Sequence, residues 1–384
     1  MFRKKGYYSN NSMPRRRKKH HSWAFEIAAL AIGAVMVLCA YAGKIDPGSF
    51  VAAPFLTLAF MPMLWFALLV LLVALVSRRW LASIIVVIAC VAILPIFRYY
   101  VPLNNIEDRP AVPADTTLML KLMTYNALAF NYNEPELASQ PSASMRLILD
   151  NHPDVVLLQE GCPSRAEWED IPSIAPYKQE ILAKYPYIYQ GSEGLGIMSR
   201  FPFAVSTVGS ERHSRSPLGY NRNQSTYLAR AFDIELPSHK QLRIIDFRLQ
   251  SYHLSFGKSD NVRVSPEVKP SALERMRRAF ELRRNDAATL RAALDQSPEN
   301  VILCGDMNDV PSSHVYRVIK GDDMKDAWVE VGYGYAHTFN RHYLPYRIDH
   351  VFYRGRLQAL QAERLKGGSS DHYPIMVTFD LDVK

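Results

Sequence analysis

The sequence predicts an α/β protein with a two-sheet (four-layer) α/β sandwich preceded by three transmembrane helices. Three long apolar stretches occupy the first hundred residues, short apolar strands alternate with helical patterns from residue 118 onward, and polar residues stand at the ends of those strands. The 384-residue chain is 48% apolar and 21% charged. This composition excludes intrinsic disorder and is enough for one large or two ordinary domains.

The N-terminal apolar stretches are long enough to cross a bilayer. We predict helices at about residues 24–43, 50–76 and 80–97, in which Glu26 is the single charged residue. A membrane-spanning helix needs about 20 mostly apolar residues. The alternative is a hydrophobic soluble helical domain, but none of the three stretches has the polar face that such a helix carries.

Basic residues are concentrated before the first of these helices. Residues 1–21 hold eight Lys and Arg and no acidic residue, so 45 minus 8 leaves 37 basic against 37 acidic residues in the rest of the chain. Cytoplasmic loops are rich in Lys and Arg. We therefore predict a basic cytoplasmic tail at 1–22 in a bacterial inner membrane, with the C-terminal part on the extracytoplasmic side. A neutral remainder excludes a uniformly basic nucleic-acid-binding protein.

The remaining sequence is predicted to be a linker followed by one domain. Residues 98–117 contain three prolines and show no periodicity, which indicates a linker. Residues 118–384 carry the alternating strand and helix patterns. The four cysteines of the whole chain are far apart and lack C-x-x-C spacing, which excludes a disulfide scaffold and a thiolate zinc site.

Apolar runs predict eight strands and two main helices in this domain. A helix is predicted from a Ser142 cap to about Asn151, and a long one over residues 271–294. Five arginines between residues 275 and 284 indicate either a solvated face paired with acidic neighbours or a ridge that binds phosphate or membrane. The strands are predicted at residues 120–125, 154–158, 194–198, 226–235, 242–249, 301–304, 348–353 and 375–381.

Polar motifs lie at the ends of five of these strands. Ligands in α/β sheets gather where strand ends converge, and carboxylates, an amide and an imidazole together indicate oxygen-ligand metal chemistry with proton transfer. Each residue alone could equally belong to a turn or the surface, but five such motifs favour a site. The motifs are Asn126, Gln159-Glu160, Gly305-Asp306-Met307-Asn308, Arg347-Ile348-Asp349-His350 and Ser370-Asp371-His372.

These motifs resemble the endonuclease/exonuclease/phosphatase superfamily, also called the deoxyribonuclease-I-like fold. Its members include apurinic endonucleases, neutral sphingomyelinases, inositol polyphosphate phosphatases and deadenylases. The resemblance covers about residues 118–381, and its motifs occur in the family's order. They are Thr124-Tyr125-Asn126, Asp154 to Glu160, Gly196 to Pro202, Gly305 to Asn308 with Asp309-Val310-Pro311, Arg347-Ile348-Asp349 and Ser370-Asp371-His372. It implies a metal-dependent catalytic domain at 118–384 that acts on phosphate esters.

The resemblance also implies a metal site. Glu160 is expected to hold Mg²⁺ or Mn²⁺, with Asn126 beside it and Asp371 nearby. A metal placed there would neutralise charge that builds up on the phosphate and on the leaving oxygen.

Four further residues receive catalytic roles from the resemblance. Asp306 is expected to position or deprotonate the attacking water, and Asn308 to hold the phosphate. Asp349 would fix the tautomer of His372, which binds the phosphate as a cation or acts as the base. The sequence leaves open whether Asp306 or His372 takes the proton.

One position departs from the family pattern. Many relatives carry Asn-x-His-Leu where this chain reads Asp246-Phe247-Arg248-Leu249. Arg248 can form a bidentate bond to phosphate, but it cannot donate a proton because it stays charged. We predict that Arg248 binds the substrate phosphate, and His253 would take the place of the family histidine only after a register shift.

Two functions are compatible with these residues. The favoured one is a membrane-anchored phosphoesterase that hydrolyses phosphodiester or phosphomonoester bonds, as a nuclease or as a lipid or small-molecule phosphodiesterase. Its partners would be the phosphate ester and the bilayer, with no obligate protein partner. The alternative, supported by Arg248 alone, is an impaired tethered domain that binds a phosphorylated ligand or a protein. The neutral domain disfavours nonspecific DNA binding, although Arg212, Arg215, Arg222 and Arg230 could line a polyanion groove or an ordinary loop.

Overall fold

The computed structural model describes the N-terminal apolar helices and most of the C-terminal domain. The tail at 1–22, most of the linker, Arg215, Arg222 and His253 lie outside the described residues. Those described are 23–104, 110, 119–131, 136, 138–161, 171–191, 194–208, 212–213, 225–226, 229–236, 241–252, 271–340 and 345–381.

Four helices form the N-terminal segment: α1 (Ala24–Tyr41), α2 (Ala53–Val76), α3 (Trp80–Ala92) and α4 (Leu94–Tyr100). A 3-10 turn (Ala42–Lys44) extends α1. With this turn α1, and likewise α2, is long and apolar enough to span a membrane. The predicted third helix at 80–97 is broken into α3 and α4, which are bent by 61° relative to each other and together are long and apolar enough for one span. Pro95 lies in the first turn of α4, where its missing N–H and its ring interrupt the helix from α3.

The N-terminal helices pack tightly together and expose large apolar side chains. Gly33 of α1 lies close to Ala89 of α3, where an added Cβ would stand 3.1 Å from the alanine Cβ. Glu26 of α1 is buried and pairs with Arg79 at 3.1 Å. On the outside, Trp65 is 67% exposed, and many other large apolar side chains of these helices are also exposed. A contiguous apolar surface of this kind is typical of contact with a membrane.

The C-terminal domain contains two mixed six-stranded sheets and a two-stranded ribbon. The sheet orders are β13-β14-β1-β2-β4-β3 and β11-β12-β10-β9-β8-β5, and β6 pairs with β7. The pairs β1–β2 and β9–β10 are parallel and the others are antiparallel. The strands are β1 (Met119–Asn126), β2 (Val155–Gln159), β3 (Tyr187–Gln190), β4 (Gly196–Ser199), β5 (Phe203–Val208), β6 (Arg212–His213), β7 (Ser225–Thr226), β8 (Ala229–Glu235), β9 (Gln241–Arg248), β10 (Val301–Asp306), β11 (Lys325–Asp326), β12 (Asp349–Arg354), β13 (Gln358–Arg364) and β14 (Ile375–Asp380).

The two sheets face each other across one apolar core, and helices cover their outer faces. Leu122 and Leu157 of one sheet pack in the same cluster as Ile244 and Ile302 of the other. The covering helices are α5 (Ala143–Asn151), α6 (Lys178–Lys184), α7 (Ala272–Asp295) and α8 (His314–Lys320), whereas the short helix α9 (Ala327–Val331) packs into the core between the sheets. Turns of 3-10 helix lie at Leu128–Asn131 and Ala175–Tyr177. This arrangement is the predicted four-layer α/β sandwich.

Helix α5 and the long helix α7 begin as the sequence predicts. The Ser142 side chain accepts a hydrogen bond from the Met145 N–H at 3.2 Å, and Ser271 and Glu274 form a reciprocal capping box. The alternative of a solvated arginine face on α7 fails at Arg283, which is fully buried. Arg284 is 38% exposed and pairs with Asp46, an acidic residue of the α1–α2 connection rather than of α7 itself.

Parallel pairing brings the predicted polar residues to one end of the sandwich. Asn126 stands opposite Gln159 at the ends of β1 and β2. In the second sheet, Asp306 lies between Arg248 at the end of β9 and Asp349 at the start of β12. Strand ends of both sheets therefore meet at this edge. Of the predicted strand at 226–235, residues 229–235 form β8, and residues 227–228 lie outside the described residues.

Candidate active site

The turn after β10 is built around glycine and asparagine. Gly305 has φ +148°, and an added Cβ would stand 1.9 Å from the Phe247 carbonyl oxygen on β9. Glycine therefore allows the two strands to approach closely. Asn308 follows with a left-handed φ of 53°, which asparagine tolerates better than most residues. This turn directs Asp306 and Asn308 toward the same point.

The Asp306 carboxylate is buried and held by three N–H donors. The Asn308 backbone N–H donates to its Oδ1 at 2.9 Å, and the Asn308 side-chain amide donates to its Oδ2 at 3.0 Å. The Asn126 amide, from the other sheet, donates to the same Oδ2 at 3.1 Å. Asp306 thus has a defined orientation and joins the two sheets.

A buried aspartate and histidine lie beside it. His372 Nδ1 donates to Asp349 Oδ2 at 2.9 Å, and both side chains are almost fully buried. The Phe339 ring packs edge-on against the imidazole, with ring centroids 5.3 Å apart. Ligand-type atoms of Asp306, Asp349 and His372 all lie within 4.8 Å of one another. The three groups can therefore exchange protons with one bound molecule.

The environment raises the pKa of both Asp306 and His372. Burial raises the pKa of Asp306 to about 6, and the nearby charges of His372 and Arg248 oppose the rise. Burial lowers the pKa of His372, but the carboxylates of Asp349, Asp306 and Asp371 outweigh it and raise the pKa to about 10. His372 is therefore a cation among carboxylates at neutral pH.

The residues predicted to bind metal lie next to this trio. Asn126 donates to Glu160 Oε1 at 3.1 Å. Glu160 has a positive φ of 46°, and such backbone strain in a non-glycine residue is common at functional sites. Asp371 is half-buried, and its charge acts on His372. Two carboxylates and one amide are the hard oxygen donors that suit Mg²⁺ or Mn²⁺, so the residues fit the predicted metal.

Arg248 connects the two halves of the site. Its guanidinium forms an ion pair with Glu160, and its Nε lies 3.9 Å from Asp306 Oδ2. It is about one-third exposed, so part of the guanidinium remains accessible to a substrate. The structure therefore places Arg248, the residue that departs from the family pattern, within the candidate site.

Three residues with positioning contacts have no predicted role. The Ser370 hydroxyl donates to the Asn126 carbonyl at 2.7 Å and accepts from the His372 N–H at 3.0 Å. Thr338 Oγ1 accepts the backbone N–H of Asp349 at 3.1 Å, and the Gln159 amide bonds to Thr124 at 3.1 Å. Ser370 and Gln159 stand inside the motifs of the sequence, whereas no pattern marks Thr338.

The model of the endonuclease/exonuclease/phosphatase family matches residues 123–372. The chain belongs to this family. No curated protein matches the chain.

Several solved structures resemble the domain at low sequence identity. An endonuclease/exonuclease/phosphatase from Beutenbergia cavernae is 19% identical, with 69% of this chain and 72% of that chain covered and a TM-score of 0.44. A family protein from Bacteroides vulgatus is 15% identical, with 69% and 99% covered and a TM-score of 0.45. The human nocturnin catalytic domain with bound sulfate is 16% identical, with 72% and 98% covered and a TM-score of 0.42.

Proposed function

We propose that the protein is a membrane-anchored, metal-dependent phosphoesterase that hydrolyses phosphodiester or phosphomonoester bonds. The observation that carries the proposal is the convergence of Asp306, Asp349 and His372 within 4.8 Å, beside the contacting pair Asn126 and Glu160. Membership of the family supports it. The arrangement combines proton transfer with hard oxygen ligands, which is the combination that phosphate-ester hydrolysis requires.

The proposed metal ligands are Glu160, Asn126 and Asp371. Bound Mg²⁺ or Mn²⁺ would supply electrostatic stabilisation of the charge that develops on the phosphate. Asn126 also donates to both Glu160 and Asp306, so the same side chain fixes the proposed metal ligand and the proposed base relative to each other.

In the proposed reaction, Asp306 takes a proton from the attacking water. The water oxygen bonds to phosphorus, and the bond from phosphorus to the leaving oxygen breaks. His372, which lies among carboxylates that favour its cationic form, donates a hydrogen bond to a phosphate oxygen and is held in place by Asp349. Since Arg248 does not give up a proton, the leaving oxygen takes its proton from solvent.

Arg248 and Asn308 are proposed to bind the phosphate. Arg248 stands between Glu160 and Asp306, and a guanidinium can donate two parallel hydrogen bonds to a phosphate. The ion pair with Glu160 also supports the second candidate function, a domain that binds phosphorylated ligands without turnover, because it engages a proposed metal ligand.

The proposed location is a bacterial inner membrane, with a basic cytoplasmic tail at 1–22 and the catalytic domain at 118–384 on the extracytoplasmic side. The apolar helices α1 and α2 and the bent pair α3–α4 support up to three spans. Three crossings place the two chain ends on opposite sides of the membrane. The charge of the tail supports a cytoplasmic N-terminus.

The test uses the full-length chain in detergent with bis-p-nitrophenyl phosphate and p-nitrophenyl phosphate, in Mg²⁺, Mn²⁺ or EDTA. Wild-type turnover should need metal, and Glu160→Gln and His372→Gln should each lower it by at least about 100-fold. Glu180→Gln, which changes an exposed glutamate paired with Arg146, is the matched control. Turnover that survives EDTA and both site variants would overturn the proposal. A folded protein that binds Mn²⁺ and phosphate without turnover would favour the binding function.

A further inference from the structure

The membrane segment contacts the same end of the sandwich that carries the candidate site. The Tyr100 hydroxyl of α4 bonds to Ser312 at 2.6 Å. Arg347 donates to the Tyr99 carbonyl at 2.8 Å. Tyr346 donates to the Leu58 carbonyl of α2 at 3.1 Å. Contacts with two different membrane helices fix the direction in which the domain faces.

These contact residues are near neighbours of site residues along the chain. Val310 is buried in the apolar cluster of the membrane helices, and it lies two residues after Asn308. Arg347 lies two residues before Asp349. Two residues of chain span at most about 7 Å. The site therefore lies within that distance, measured along the backbone, of residues that contact the membrane segment.

The α1–α2 connection and the first turn of α2 also contact the domain. Asp46 accepts from Arg284 Nη2 at 2.8 Å, and Phe55 packs edge-on against Phe280 with ring centroids 5.0 Å apart. An added Cβ on Gly43 would stand 1.8 Å from the Ser312 carbonyl oxygen. The domain is thus seated closely against the helix ends rather than suspended from a linker.

Helix lengths place this contact at the level of the lipid headgroups. The 24 residues of α2 rise about 36 Å, against about 30 Å for the hydrocarbon core. About one turn of α2 therefore extends into the headgroup layer. Tyr346 contacts α2 near its N-terminal end, at Leu58. Tyrosine is enriched at this boundary of membranes.

Basic side chains mark the same level on the neighbouring surface. A cavity of about 330 Å³ lies between α8 and the ends of α1 and α4. Three basic residues, Lys44, Arg317 and Lys320, and one acidic residue, Asp322, line it together with Tyr41. Cations at this height are attracted to anionic headgroups, which is consistent with a domain seated on the lipid surface.

We infer that the substrate phosphate is carried by a lipid of the bilayer in which the protein is anchored. This inference rests on the proposed phosphoesterase function. The headgroup layer is about 5–8 Å thick on each side, so a lipid phosphate at that level needs little displacement to reach the site. A nucleic acid would have to enter between the domain and the membrane surface, where the phosphates of the bilayer repel it.

The test compares matched substrates on the full-length chain in phosphatidylcholine vesicles. Phosphatidic acid, phosphatidylglycerol, sphingomyelin or a phosphatidylinositol phosphate is included in the same bilayer. The water-soluble headgroup counterparts, such as glycerol phosphate and glycerophosphoglycerol, and plasmid DNA are added to other samples. At equal total concentration, the best lipid should be hydrolysed at least about tenfold faster than its soluble counterpart, because enzyme and substrate share one surface.

Bis-p-nitrophenyl phosphate, assayed in parallel, distinguishes failure of the lipid inference from failure of the phosphoesterase proposal. Metal-dependent turnover of this ester, with soluble headgroups or DNA hydrolysed as fast as any lipid, overturns the lipid inference and leaves the phosphoesterase proposal standing. No metal-dependent turnover of any substrate overturns both.

A variant pair tests the docking geometry. Asp46→Arg replaces the attraction to Arg284 by repulsion and should lower lipid turnover several-fold while turnover of bis-p-nitrophenyl phosphate is unchanged. Asp295→Arg reverses an exposed partner of Arg291 on the same helix, about 16 Å farther along it, and should change neither. If Asp46→Arg lowers both activities equally, or neither, the docking argument is wrong.

Discussion

Replacement of Asp349 by asparagine is the sharpest test of the site. Asn keeps the size of the side chain and its contact with His372 Nδ1, 2.9 Å away, but removes the charge. The carboxylates around His372 raise its pKa from 6.5 to about 10, which corresponds to roughly 5 kcal/mol in favour of the imidazolium. Asp349 is the largest of these acidic contributions, so Asp349→Asn should remove much of this stabilisation.

The expected result of Asp349→Asn is a loss of turnover with a shifted pH profile. Loss of one preorganised hydrogen-bond donor to developing charge costs about 10²–10³-fold in kcat, and the decrease in kcat for bis-p-nitrophenyl phosphate should fall within that range. The wild-type cation persists as pH rises toward about 10, whereas in the variant burial acts with less opposition. The alkaline limb of the activity profile should therefore move to lower pH.

The assay compares kcat from pH 6 to 10 at saturating Mn²⁺, with the melting temperature as a check on folding. Thr338→Val removes the acceptor of the Asp349 backbone N–H but keeps the charge, so its alkaline limb should stay in place. A folded Asp349→Asn protein with kcat within about threefold of wild type, or with an unmoved alkaline limb, would refute the assigned role of the pair.

Three further predictions concern the metal site, the membrane contact and stability. Asn126→Ala removes a hydrogen-bond donor to Glu160 and Asp306. It should raise the Mn²⁺ concentration needed for half-maximal turnover by about 10- to 100-fold, as measured by titration with Mn²⁺. An unchanged titration curve would contradict a role of Asn126 in metal binding. Gly43→Ala places a Cβ 1.8 Å from the Ser312 carbonyl oxygen and should increase hydrogen exchange at residues 310–313. The control Gly48→Ala meets only the movable Arg284 side chain at 3.1 Å and should leave that exchange unchanged. Equal exchange in the two variants would refute the close contact between the domain and the N-terminal helices. Burial and then Arg347 lower the pKa of His350, so the unfolded chain binds the proton first, and stability is lost as pH falls below about 6.5, by up to about 1.4 kcal/mol per pH unit. His350→Gln should flatten that slope in melts from pH 7 to 5, and an identical slope would show that His350 is not its source.

The sequence by itself determined the architecture and indicated which positions along the chain form the candidate site. Apolar stretches of spanning length, strand-length apolar runs and the cap at Ser142 are local signals, and each is met by a local structure at that position. The polar residues at strand ends were identified for the same reason, since parallel strands bring their carboxyl ends to one edge. Local patterns fail where a neighbour distant in sequence decides, as at Arg283 and Arg284.

Tertiary structure alone decided how the parts are oriented. Thr338 supports Asp349 from another segment, Arg248 pairs with a glutamate 88 residues away, and Tyr100 bonds to Ser312 across 212 residues. No periodicity or spacing encodes such pairs, because they form only when separate elements pack together. Side-chain packing between elements therefore sets the contacts that seat the domain against the N-terminal apolar helices.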